Sequence, residues 1–108
     1  MFITFFAGNF FVAPLRRVIC HYIFFAKFFS QTCQPCKELA PVLDKVSRVF
    51  DSKVKFVEVD VEKCPNLSSE FGIMAVPQML LLKNGEEIDR LMGKRAEDSI
   101  KTWILDKI

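Results

Sequence analysis

Apolar and polar positions follow one another along this chain with two different periods. Leu39, Val42, Leu43, Val46, Val49 and Phe50 recur at spacings of three and four, with Lys37, Glu38, Asp44, Lys45 and Arg48 between them. That period predicts an amphipathic helix, and Pro41 inside it is expected to kink it. "VKFVEVDV", Val54 to Val61, alternates every second residue instead. It predicts a strand with Val57, Val59 and Val61 on one face and Phe56, Glu58 and Asp60 on the other. From about Val18 to Phe29 the chain is apolar and aromatic almost throughout, the composition of a strand covered on both faces. "QMLLLK", the turn signal Asn84-Gly85 and "EEIDRLM" predict a hairpin. A short helix is expected from about Asn66 to Phe71, ended by Gly72. A closing helix carries Ile100, Trp103, Ile104 and Ile108 on one stripe.

At the start, "FITFF" predicts a strand, and Asn9 is positioned to cap a helix running to about Arg17, with Pro14 awkwardly inside it. The order is then strand, helix, strand, helix, strand, helix, hairpin, helix. The early alternation implies parallel strands joined by crossover helices, and the hairpin adds antiparallel ones. The expectation is an α/β fold, a central mixed sheet of about five strands flanked by about four helices, in one domain spanning residues 1–108.

Composition mainly excludes. At 108 residues, 51% hydrophobic and 26% charged, the chain is ordinary globular material rather than disordered. Its net charge is +2 with both signs interspersed, so nucleic-acid binding has no electrostatic footprint. Four cysteines are too few for a disulfide scaffold. "MFITFFAGNFFVAPL" is shorter than the roughly 20 apolar residues of a membrane-spanning helix, and it lacks the basic leader of a secretory signal. It is read as the first strand and helix, with a signal or membrane-surface segment as the alternative.

The candidate chemistry lies in "FFAKFFSQTCQPCKELAP". Cys33 and Cys36 sit where a buried strand meets an amphipathic helix. The first turn of a helix presents unpaired N–H groups and a partial positive charge, which stabilise a thiolate and lower its pKa. Two intervening residues let both sulfurs meet across that turn, and Pro35 suits an early helical position because its missing N–H is not needed there. A CxxC pair in a βαβ setting reads as a redox couple. A metal clip would call for a second close pair of ligands, whereas Cys20, His21 and Cys64 are scattered; a buried inert pair is the other alternative. Cys20 is expected to pack near a strand and His21 to be structural. Cys64, ahead of Pro65, is expected to be more exposed, with a site of oxidation or dimer formation as the minority alternative to a bland role.

From about Tyr22 onward the chain resembles the thioredoxin family. "CQPCKELAPVLDKV" looks like the family's active-site helix, including its kink proline, here Pro41. "VDVEKCPNLSSEFGIMAVPQMLLLKNGEEIDRLMG" follows the later pattern. Pro77 after Val76 matches the cis-proline beside the active-site disulfide, Gly85 the hairpin glycine, and Gly93 the glycine of the flat docking surface. Residues 1–21 are atypical for the family.

The resemblance implies a protein-disulfide reductase needing no cofactor beyond a redox-active Cys33–Cys36 disulfide. Cys33 would attack and Cys36 would resolve the mixed disulfide. Thr32, Gln34, Pro35, Val76, Pro77 and Gly93 would contact substrate. The implied partners are disulfide-containing proteins and a thioredoxin reductase-like flavoprotein donor, with no nucleic acid and no membrane, for a cytoplasmic monomer. An oxidase or isomerase of an exported compartment and a non-catalytic binding module are the alternatives. Three departures stand out. Gln34 replaces the usual glycine of Cys-Gly-Pro-Cys, and Thr32 replaces the tryptophan ahead of the nucleophile. Lys27 and Glu58 reverse the family's buried aspartate and neighbouring lysine. A lone buried lysine would be costly, so the two are expected to pair, with Glu58 taking the proton of Cys36 and Lys27 favouring nearby thiolates.

Overall fold

The computed structural model describes residues 2–5, 23–50, 53–83 and 86–108. The helix expected at Asn9–Arg17, Cys20, His21 and the Asn84-Gly85 turn lie outside them. The elements are β1 (Phe2–Phe5), β2 (Ile23–Phe29), α1 (Gln34–Val49), β3 (Val54–Asp60), α2 (Pro65–Glu70), β4 (Gln78–Lys83), β5 (Glu86–Met92) and α3 (Glu97–Lys107). The strands form one sheet in the order β1-β3-β2-β4-β5. β3 pairs in parallel with both β1 and β2, whereas β4 runs antiparallel to β2 and to β5. The mixed sheet is therefore as expected, and three helices lie among the described residues.

Strand alternation sorts β2 into two cores. Phe24, Ala26 and Phe28 join Val57, Val59, Leu67, Leu80 and Leu82 on the face covered by α2. Phe25 joins Phe56, Met79, Leu81, the α1 residues Leu39, Leu43 and Val46, and the α3 residues Ile100 and Ile104 on the other. Phe25 and Phe56 stack at 4.8 Å between ring centroids, and Trp103 meets Phe25 edge-on at 6.0 Å. β2 is thus buried on both sides, the physical reason its sequence lacks polar alternation. α1 runs unbroken through Pro41.

The register decides what sits under the first turn of α1. Lys27 lies two residues beyond Phe25 and so on the same face, opposite Glu58 of β3 and Met79 of β4. Phe29 is opposite Asp60, so the loop after β2 and the turn after β3 emerge side by side at one end of the sheet.

Candidate active site

Cys33 is the N-cap of α1, with Gln34 and Pro35 opening the helix. The Cys36 N–H donates to Cys33 Sγ at 3.2 Å, a contact that would stabilise a thiolate there. The two cysteines are joined in a disulfide with Cα atoms 5.3 Å apart, inside the usual range. Their exposures differ: Cys33 is partly exposed, whereas Cys36 is 2% exposed.

Below Cys36 lies a cavity of about 170 Å³ lined by Lys27, Phe29, Ser30, Gln31, Cys36, Lys37, Ala40 and Glu58. Lys27 is buried, and its Nζ stands 3.6 Å from Glu58 Oε1 and 5.3 Å from the centre of the Phe29 ring. Burial lowers the Lys27 pKa from its ordinary value, while the Glu58 charge and hydrogen bond oppose that shift. Glu58 keeps 24% of its side chain exposed, so the pair joins a buried base to an acid that reaches water.

The loop carrying Cys33 is held by a polar network that the sequence reading passes over. Ser30 Oγ donates to Glu62 at 2.7 Å and accepts the Thr32 N–H at 3.3 Å. Gln31 Nε2 donates to Asp60 Oδ2 at 3.0 Å, and Asp60 Oδ1 accepts the Glu62 N–H at 2.9 Å. Asp60 is fully buried. The available signal was the run Ser30-Gln31-Thr32 immediately before the cysteine, polar between two apolar stretches.

Val76–Pro77 is a cis peptide bond. Phe28 pairs with Gln78, so Pro77 stands where β2 delivers the cysteine loop. Gly93 takes φ +84°, a conformation that favours glycine, and its N–H donates to the Pro77 carbonyl at 2.9 Å. Next to it, Lys94 pairs with Glu38 of α1 at 2.7 Å and holds the Glu38 carboxyl below its ordinary pKa. Thr32, Gln34 and Pro35 are exposed around Cys33.

Cys64 corrects the expectation of exposure. It is fully buried and packs among Phe28 and Leu67, its N–H bonded to the Asp60 carbonyl at 2.8 Å. The turn from Asp60 folds back to start α2, which carries the thiol inward. Burial, and then the Asp60 charge, raise its pKa, so the thiolate needed for oxidation is disfavoured. Among the described residues, no group of three or more His, Cys, Asp and Glu is gathered to hold a metal ion. No helix among them is long and apolar enough to cross a membrane.

The thioredoxin family model matches residues 14–106, beginning eight residues before Tyr22, the start of the resemblance in the sequence motifs. A thioredoxin of Rickettsia felis is 38% identical over 77 residues, covering 71% of this chain and 73% of that protein. The crystal structure of a thioredoxin from Nicotiana alata superposes with a TM-score of 0.88 at 30% identity, over 98% of this chain and 91% of that one. The fold is also that of Fasciola hepatica thioredoxin, with a TM-score of 0.87 at 24% identity over 98% and 99% of the two chains. With its two linked cysteines at the head of α1, the chain belongs to the thioredoxin family and is a thiol–disulfide oxidoreductase that reduces protein disulfides.

Proposed function

We propose that Cys33 is the attacking thiolate and Cys36 the resolving one. The observation that carries this assignment is the unequal burial of two linked cysteines, since a protein substrate can reach only the exposed sulfur. The Cys33 thiolate attacks one sulfur of the substrate disulfide, and the other substrate sulfur leaves as a thiolate. Cys36, having given up its proton, then attacks Cys33 Sγ. That step forms the Cys33–Cys36 disulfide and releases the second substrate thiol, so two electrons pass to the substrate. Glu58 accepts the Cys36 proton through water in the shared cavity, a reading supported by the lining of that cavity and by the exposure of Glu58. Lys27 lowers the energy of thiolates nearby through its charge.

Thr32, Gln34 and Pro35 meet the substrate around Cys33. Val76 offers its backbone to an extended substrate segment beside Pro77 and Gly93. The chain acts as a single domain over residues 1–108, a cytoplasmic monomer in electron transport and redox homeostasis, re-reduced by a flavoprotein of the thioredoxin-reductase kind. Two serine variants test the cysteine roles. Cys36→Ser should accumulate a covalent mixed disulfide with reduced-and-reoxidised insulin, visible by mass, and Cys33→Ser should form none. The reverse outcome overturns the assignment. The direction of electron flow is read from the reduction potential: about −270 mV fits a reductase and about −120 mV an oxidase.

A further inference from the structure

Gln78 is the first residue of β4 and is 1% exposed, an amide within an otherwise apolar stretch. A buried amide must have both its ends satisfied. In the one amide orientation that satisfies both ends, Nε2 donates to the Ala75 carbonyl at 3.1 Å and Oε1 accepts from Arg90 Nη1 at 2.8 Å. The same guanidinium donates through Nη2 to the Phe71 carbonyl at 2.9 Å. Glu87 holds it in place with two contacts of 2.6 Å, from Nε and from Nη2.

Arg90 thus reaches the segment between α2 and β4 at Phe71 directly and at Ala75 through Gln78. Gly93, just beyond the end of the same strand, holds Pro77 through its N–H. Phe71, Ile73 and Val76 pack against the core, but packing does little for the crown between them: Ala75 is exposed and Met74 is 92% exposed. Hydrogen bonds from Arg90, Gln78 and Gly93 therefore add to the packing of Ile73 and Val76 in fixing where the Val76 backbone lies.

We propose that Arg90, acting through Gln78, is a positioning residue for recognition of extended polypeptide disulfides. It holds the Val76–Pro77 backbone in the attitude a substrate strand needs, and so selects protein disulfides over small ones. The inference rests on the reading that Val76 and Pro77 contact the substrate. The planar fork of arginine serves the Gln78 and Phe71 acceptors together, whereas a lysine ammonium cannot span both.

The test compares wild type, Arg90→Lys, Gln78→Glu and Pro77→Ala in reducing insulin and the aryl disulfide dithionitrobenzoate, with Tm recorded. Arg90→Lys should slow insulin reduction about tenfold, chiefly through KM, with the aryl disulfide rate within about twofold of wild type. Gln78→Glu keeps a partner for Arg90 but loses the donor to Ala75, and it should show the same selective loss. Equal losses on both substrates in step with a lower Tm, or no loss at all, overturn the role of Arg90. If Pro77→Ala leaves insulin reduction unchanged, the docking reading itself fails. If Pro77→Ala slows insulin reduction and Arg90→Lys does not, the Arg90 inference alone falls.

Discussion

Lys27 and Arg90 are both cations set into the sheet, yet their surroundings differ in kind. The Lys27 ammonium is buried at the centre of the sheet with one carboxylate at 3.6 Å and an aromatic face at 5.3 Å. Desolvation dominates there, and its pKa falls. The Arg90 guanidinium lies on the edge strand, 34% exposed, with its donors spread over Glu87, Gln78 and Phe71. Its pKa is raised, chiefly by the hydrogen bonds to Glu87. On the roles proposed for them, the lysine under the cavity acts as a charge on the nearby thiols and the arginine fork with its fixed acceptors as a geometric brace. On that reading, one region of the molecule works through electrostatics and the other through shape.

The largest expected effect separates the two regions by chemistry. Glu58→Gln keeps the size of the side chain and removes the acid beneath Cys36. Protein-disulfide turnover should fall by about a hundredfold at neutral pH, the lower end for lost acid–base assistance, and the pH dependence of Cys36 should shift. Unchanged turnover with an unchanged Cys36 titration would end the proton-acceptor reading.

A smaller effect concerns what Lys27 does to stability. Unfolded, Lys27 titrates near 10.5; folded, it loses its proton at lower pH. Between those values the unfolded chain binds more protons, so Lys27 makes stability rise with pH across that window. Below the window the cost of burying the ammonium is carried in full. Lys27→Met, which leaves the part-exposed Glu58 to water, should therefore be more stable than wild type at neutral pH and lose the alkaline rise, as read by denaturant titration across pH. A variant less stable than wild type at neutral pH would mean that attraction to Glu58 outweighs desolvation.

The smallest effect lies at the brace. Glu87→Gln removes a carboxylate from a part-exposed pair and should cost about 0.5 kcal/mol or less at moderate salt. If the cost is much larger, Glu87 does more than orient Arg90.

How legible the site was depended on distance along the chain. Cys33, Pro35 and Cys36 lie within four residues, and the amphipathic period of α1 begins at once, so their placement at a helix start could be read from local pattern. Lys27 and Glu58 stood out as charges in apolar strands. Their pairing also needed the two parallel strands in register, which one sequence supplies only through its likeness to a family. Cys64 departs from its local pattern, since a cysteine before a proline reads as a loop residue. Its burial depends on the Asp60 turn folding inward against β2 and α2. Arg90 and Gln78 gave no signal, since each looks ordinary within its own strand.

By itself the sequence determined the periods of α1 and β3, the doubly buried character of β2, the hairpin strands and the redox pair at a helix start. These follow from backbone geometry and side-chain burial acting over a few residues. Only the tertiary structure decided that Lys27 meets Glu58 below Cys36, that Gln31 and Ser30 tie the cysteine loop to Asp60 and Glu62, and that Arg90 reaches the segment before Val76. Those contacts join residues 12 to 32 positions apart, and the strand order and register that bring them together are set by which faces of the whole sheet can be buried at once.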